Sequence, residues 1–331
     1  MDSRSPSASP SYAIEPERLQ QSVDALVQLI KQHFEKLPQL PVKPSLKPGE
    51  VAAKFAAEIP EQSLAWDTIL SDIRDKILPA VTHWQHPRFF AYYPCSSSLP
   101  AMLSELLIAA IGSVGLQWSA NPAATELECL VMDWIMQMLG APEHSPFLHR
   151  SRQGGGIIQN SAGEAMAVIM VAARIHKQSE LSGYSTERAP DPLALEQLYW
   201  QDSSQLVVYM SDHTHFSGPK AVRVAGMRLH KLAAQKLAHG NFGISKEQVR
   251  EAMAHDRAQG LVPCAVLLNY GSTNTCGYDD LAAFSGFAAE ENVWVHVDAA
   301  YAGSSLILPE FRERSLTLQA IAIFKRRRSR I

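Results

Sequence analysis

Residues 293–303 read Val-Trp-Val-His-Val-Asp-Ala-Ala-Tyr-Ala-Gly. Val293–Val297 has the length and β-branched content of a buried strand, and small residues follow it. Successive side chains on a strand alternate between faces, so His296 and Asp298 share one. An acid at the end of a buried strand is costly without a cation opposite it. Asp298 therefore either caps the structure that follows or holds a positively charged atom of a ligand.

Working outward from this stretch, Leu206–Met210 and Cys264–Asn269 are two more runs of strand character. Helical patterns separate them at Gly163 to Lys177, Lys246 to Gln259 and Asp279 to Glu290. Such alternation predicts an α/β fold, a mostly parallel sheet with helices on both faces. Ligands of such sheets bind beyond the carboxyl ends of the strands, so chemistry is expected there.

The part of the chain before Gly154 is helical in pattern. Leu19, Val23, Leu26, Ile30, Phe34 and Leu37 form one apolar stripe. Pro38, Pro41, Pro44 and Pro48 then impose an extended connection, and a second stripe runs Leu64, Ile69, Ile73 and Ile77 to Pro79. Asn121 to Gly140 reads as a helix with Asn121 as N-cap, Pro122 in the first turn and Gly140 at the C-terminal cap. Its interior is apolar over a wide face (Leu127, Leu130, Val131, Trp134, Ile135, Met138), which predicts burial.

Composition narrows the function classes. Of 331 residues, 46% are hydrophobic and 19% charged, a globular balance. The net charge of −3 conceals an asymmetry, because Lys325, Arg326, Arg327, Arg328 and Arg330 crowd the end. Setting those five aside leaves 25 basic against 33 acidic residues, a net of −8, which argues against a nucleic-acid partner for the body. The same five could be read as an import or nucleic-acid segment, but a solvated tail is favoured. Cys95, Cys129, Cys264 and Cys276 show no CxxC spacing, and reduced thiols in a cytoplasmic protein are expected. The Ser/Pro-rich start has no signal-peptide core, and the apolar stretch near Leu106 to Leu116 is too short for a membrane span.

Three further clusters fall at expected strand ends or helix starts. Gly154-Gly155-Gly156 leads through Ile157-Ile158 into Gln159-Asn160-Ser161-Ala162-Gly163-Glu164, whose small residues at a helix start would expose N–H groups to a phosphate. The run matches neither GxGxxG nor GxxxxGK[ST], and by itself it is equally an ordinary capped helix. Ser211-Asp212-His213-Thr214-His215 carries an HxH pair for which a metal is the minority reading. Tyr270-Gly271-Ser272-Thr273-Asn274-Thr275 is rich in hydroxyls, although such residues also make plain turns.

Together these clusters resemble the pyridoxal-phosphate-dependent group II decarboxylases, most closely the aromatic L-amino-acid (tyrosine/DOPA/tryptophan) type. Thr82-His83-Trp84-Gln85-His86-Pro87, Phe90-Ala91-Tyr92-Tyr93-Pro94 and Ser119 to Glu128 carry the likeness in the first half. The Ser161 cluster, Ser211 to His215, the Thr273 loop and His296 to Gly303 carry it in the second. The resemblance covers roughly Glu15 to Arg312. It implies the PLP-dependent transferase-like fold (fold type I) behind an N-terminal helical segment, with the small C-terminal domain missing.

The resemblance implies roles residue by residue. Pyridoxal 5'-phosphate would have its phosphate at Ala162 and Gly163, with His215 stacked on its ring and Thr273 beside it. Ala300 would pack on the ring, and Asp298 would face the protonated ring nitrogen. His215 and Asp298 are thus the expected catalytic residues. Trp84, Tyr92, Tyr93, Pro94 and Cys95 would line the substrate pocket. Gly163 and Cys95 replace residues that often carry hydroxyls in the family. A larger departure is the family's Schiff-base lysine, set in an Asn-Xaa-His-Lys segment about thirty residues beyond the aspartate. Glu313 to Ile331 contains no such segment, and Lys325, the one lysine after Asp298, sits among arginines.

The expected organisation is a disordered N-terminus (1–14), a dimer-packing helical segment (15–105), an incomplete cofactor domain (106–312) and a divergent basic tail (313–331), as from an altered reading frame. The expected activity is decarboxylation of aromatic L-amino acids to amines. The alternatives are a catalytically dead chain pairing with a full-length relative, or an aromatic aldehyde synthase lineage. A homodimer is the expected assembly, with no nucleic acid or membrane partner.

Overall fold

The structure, a computed structural model, describes residues 16–92, 97–183, 193, 196–197 and 203–312. Tyr93, Pro94, Cys95, Lys325 and the segments 1–14 and 313–331 lie outside the described residues. The chain divides into two compact units, Met1–Ile111 and Gly112–Ile331.

In the first unit the Leu19–Phe34 stripe forms α1 (Pro16–Lys36), which tightens into a 3₁₀ turn at Leu37–Gln39 where Pro38 enters. The second stripe is less regular than its spacing predicts. Only α2 (Trp66–Asp72) is α-helical, followed by a π-type turn at Ile73–Ile77 and a 3₁₀ turn at Leu78–Ala80. Pro79 explains the change, since its ring would collide with the carbonyl one α-turn earlier. α3 (Leu99–Ile111) closes the unit, and Leu103, Leu107 and Ile111 on it are exposed.

The second unit opens with α4 (Pro122–Met138), whose caps form as the sequence predicts. Asn121 Oδ1 accepts the Ala124 N–H at 3.0 Å, Pro122 sits in the first turn, and Gly140 takes φ +87°. The expected burial of this helix is overturned: Leu127 is 55% exposed, Trp134 50% and Met138 53%. α4 is held to the unit by polar groups on its other side, described below, and no described residue covers its apolar face.

α5 (Ala162–Ser182) precedes the sheet, built from β1 (Leu206–Ser211), β2 (Arg228–Leu232), β5 (Val262–Asn269) and β6 (Trp294–Asp298). The order is β2-β1-β5-β6, and every pairing is parallel. A separate two-stranded ribbon joins β3 (Gln235–Lys236) to β4 (Phe242–Gly243). Alternation along β1 feeds two cores. Val207 and Tyr209 pack with α7 (Lys246–Ala258) and α8 (Phe287–Glu291), while Leu206, Val208 and Met210 pack with α5 and α6 (Ser217–Val224). The register slips between Val207 and Val208, so Cys264 and Ala265 both join the α5 side.

Asp279 to Glu290 is helical only at its end. The Asp279 carboxylate is drawn inward to accept the backbone N–H of Ile244 at 2.7 Å and of Asn269 at 2.6 Å. The chain then turns through Asp280 to Gly286 at φ +76°, and α8 starts at Phe287. Leu281, Phe284 and Phe287 are nevertheless buried on the sheet, so their spacing signalled a core face without a continuous helix. A last short helix, α9 (Pro309–Arg312), ends the described residues. Among the described residues, no helix is long and apolar enough to cross a membrane.

Candidate active site

Sheet topology selects the place. β2 lies on one side of β1 and β5 on the other, with α6 after β1 on one face and α7 after β2 on the opposite face. The winding reverses between β1 and β5, where such sheets form a crevice at their carboxyl edge. Register puts the strand ends level there, with Met210 beside Leu267, Leu267 beside His296, and Asn269 beside Asp298.

The α5 N-terminus reaches the same edge. Its later half is tied to the amino ends of the strands: Cys264 Sγ contacts the Ala173 carbonyl at 3.5 Å, and Lys177 Nζ donates to the Asn292 carbonyl. From Ala173 back to Ala162 the helix climbs about 16 Å. From Cys264 to Asn269 the strand climbs about the same. Ala162 is therefore level with the strand ends. Ser161 caps the helix by accepting the Glu164 N–H at 3.2 Å. The N–H groups of Ala162 and Gly163 have no protein acceptor among the described residues, and the helix end carries partial positive charge.

His215 follows β1 at the crevice and is half-buried. Its Nδ1 accepts the Ser217 N–H at 3.3 Å and lies 2.8 Å from the Ser217 hydroxyl. That pair assigns the ring proton to Nε2. Asn269, at the end of β5, donates from Nδ2 to Thr214 Oγ1 at 3.0 Å, which bridges the β1 and β5 sides of the crevice. Sequence reasoning missed this bridge, because nothing local pairs residues so far apart.

Asp298 ends β6 and is half-buried. Register places it, with His296 and Trp294, on the α5 face of the sheet, as period-two alternation predicted. Asp298 Oδ1 accepts the Ala300 N–H at 3.1 Å, so it closes a turn rather than capping a helix. Burial pushes the His296 imidazole below its ordinary pKa, with Asp298 opposing, and favours its neutral form. No described cation pairs with the Asp298 carboxylate. The following loops are tied together: the Tyr270 N–H donates to the Asp298 carbonyl at 2.8 Å and the Ala302 N–H to the Tyr270 carbonyl at 3.3 Å. Gly271 (φ +95°) allows this approach, since a Cβ there would lie 2.8 Å from Ala302 Cβ. Thr273 and Ala300 are exposed at the same edge.

Gly154 to Gly156, which lead into the α5 start, pass close to their neighbours. A Cβ on Gly154 would lie 2.6 Å from the Pro146 carbonyl, on Gly155 it would enter the His149 ring, and on Gly156 it would strike Met132. Gly156 thus allows close passage along α4, and Gly154 and Gly155 along the Pro146–His149 segment. In the first unit, Trp84 and Tyr92 stack at 5.2 Å with rings within 7° of parallel, and Phe89 stacks on Trp84 at 4.9 Å.

The α5 N-terminus, the His215 imidazole and the Asp298 carboxylate, which pairs with no described cation, thus lie at the carboxyl edge of one sheet. Residues 48–325 match the pyridoxal-dependent decarboxylase conserved domain, and the chain belongs to that family. The match extends past Arg312, where the recognisable motifs end, to residue 325. The aromatic-L-amino-acid decarboxylase of Rattus norvegicus is 38% identical over 288 residues, covering 87% of this chain and 57% of the relative. Phenylacetaldehyde synthase of Arabidopsis thaliana is 37% identical over 301 residues, covering 91% of this chain and 57% of the relative. The crystal structure of Oryza sativa TDC with PLP and tryptamine superposes with a TM-score of 0.81 at 33% identity, covering 93% of this chain and 62% of that one. The chain thus spans somewhat more than half the length of these relatives.

Proposed function

We propose that this chain binds pyridoxal 5'-phosphate at the carboxyl edge of β1, β5 and β6 and acts in decarboxylation of an aromatic L-amino acid. The reading is supported by the common position of the α5 N-terminus, His215 and Asp298 at the carboxyl edge of the sheet, where its winding reverses. Each offers what one part of that cofactor needs. The free N–H groups of Ala162 and Gly163 hold the phosphate, strengthened by the helix end. His215, fixed by Ser217, presents a ring to stack on, while Ala300 and Thr273 border the other groups. Asp298, which has no described cation beside it, would hold a proton on the ring nitrogen and be neutralised by it. When bound, the cofactor serves as an electron sink as the substrate carboxylate leaves as CO₂.

Trp84 and Tyr92 are the candidates for the substrate's aromatic ring, together with Tyr93, Pro94 and Cys95. Segment 15–105 is proposed to pack across a homodimer in the cytoplasm, which mass measurement in solution tests. The activity is tested by incubating the purified chain with the cofactor and tyrosine, DOPA, tryptophan, phenylalanine or histidine. An amine with equimolar CO₂ supports decarboxylation. An aldehyde with hydrogen peroxide and ammonia supports the aldehyde synthase reading favoured by the Arabidopsis relative. Neither product counts against both.

A second reading is that residues 1–331 hold the cofactor without a covalent bond. No Asn-Xaa-His-Lys run occurs in residues 1–331. Borohydride reduction separates the two, since a lysyl adduct on this chain excludes purely noncovalent binding.

A further inference from the structure

α4 carries a row of side chains that the proposed chemistry does not use, aimed at the strand-like segment leading to Ser161. Asp133 is buried, and its carboxylate accepts the His149 N–H at 2.6 Å and the Arg150 N–H at 3.3 Å. This fixes the 3₁₀ turn His149–Ser151, which Ser151 Oγ braces by donating to the Pro146 carbonyl at 3.2 Å. The turn places the His149 ring over Gly155, with Nε2 2.6 Å from the Gly156 carbonyl. A carbonyl only accepts, so the Nε2 proton points at it. Five residues earlier than Asp133, Glu128 Oε1 accepts the Ile158 N–H at 2.7 Å. Met132 lies between these two anchors, against Gly156.

We infer that Glu128, Asp133 and His149 are positioning residues for phosphate binding: they clamp Gly155–Ile158 to α4 and so set where Ser161, Ala162 and Gly163 present their N–H groups. Of the clamped residues Gly155, Ile157 and Ile158 are exposed and Gly156 is half-buried, and none belongs to a strand, so these bonds are the described restraints on the approach to α5. Each anchor removes a backbone direction that the segment would otherwise explore. The clamp therefore lowers the ordering cost at the moment an anion binds. Its effect falls on the phosphate end of the ligand and not on the ring end, which β5 and β6 hold separately.

This inference rests on the proposed cofactor site, and the experiment separates the two. Affinities of the full chain for pyridoxal 5'-phosphate and for pyridoxal, which lacks the phosphate, are measured by fluorescence quenching. Wild type is expected to prefer the phosphorylated form. His149→Phe keeps a ring over Gly155 but loses the donor, and Glu128→Ala removes the other anchor from a partly exposed position. Each should cut the preference about fivefold to tenfold, the loss of one hydrogen bond. Pyridoxal affinity should stay within about twofold, a split that general loosening would not produce. Glu128→Gln keeps the acceptor and should restore the preference. If wild type prefers the phosphorylated form and both variants retain that preference, or lose affinity for both ligands equally, the clamp is wrong and the cofactor site stands. If wild type does not distinguish the ligands, the phosphate site fails and the clamp with it.

Discussion

The sheet and α4 are both rich in apolar side chains, yet they use them differently. Phe284, Met210 and Leu267 are wholly buried between the sheet and its helices, whereas Leu127, Leu130 and Trp134 on α4 face outward. Near-continuous apolar runs bounded by turns found their partners inside the same unit. The apolar face of α4 found none among the described residues, and the helix is instead attached through Glu128, Met132 and Asp133. Apolar composition therefore predicts that a face needs a cover, but does not say that this chain supplies it.

Phe284→Ala should cost about 3–5 kcal/mol, because it empties a wholly enclosed site. Trp134→Ala in dilute, monomeric chain should change stability by less than about 1 kcal/mol. Urea melts of the two variants check this, and equal losses would mean that α4 is covered in solution.

A second test sharpens the polar side of the core. Burial raises the Asp279 carboxyl to about 6, against the N–H groups of Asn269 and Ile244, which favour its ionised form. A carboxyl raised above its unfolded value of 3.8 binds protons more tightly when folded. Its contribution is full below about pH 4 and is lost as the pH rises through 6, amounting to about 3 kcal/mol. Wild-type stability should therefore fall by that amount relative to Asp279→Asn between those limits, as read by melts across the range. Parallel curves would refute it.

The smallest expected effect compares two helix caps. Ser161→Ala and Asn121→Ala should each cost about 1 kcal/mol, since each removes one acceptor from a first-turn N–H. Only Ser161→Ala should also weaken cofactor binding, as equilibrium dialysis would show.

Much of the core was legible because β-branched runs at Leu206, Cys264 and Val293 could be little else. The positions of Asp298 at the end of β6 and of His215 just after β1 were legible because the strand runs before them were. The Asn121 cap was also legible, being local chemistry. The irregular path from Asp279 to Gly286 was not, because its cause is a bond from Asp279 to Ile244, on a different element. The same holds for the Thr214–Asn269 bridge and for the anchor from Asp133 to His149. Side-chain bonds between distant segments leave no periodic trace in sequence.

If Asp298 completes a pyridoxal phosphate site with His215 and the α5 N-terminus, its removal must weaken cofactor binding. Equilibrium dialysis of the cofactor against wild type, Asp298→Ala and Trp134→Ala tests it most directly. Saturable one-to-one binding is expected for wild type and Trp134→Ala, with affinity lowered at least about tenfold in Asp298→Ala by loss of a charge-assisted bond. Equal binding by wild type and Asp298→Ala would contradict it.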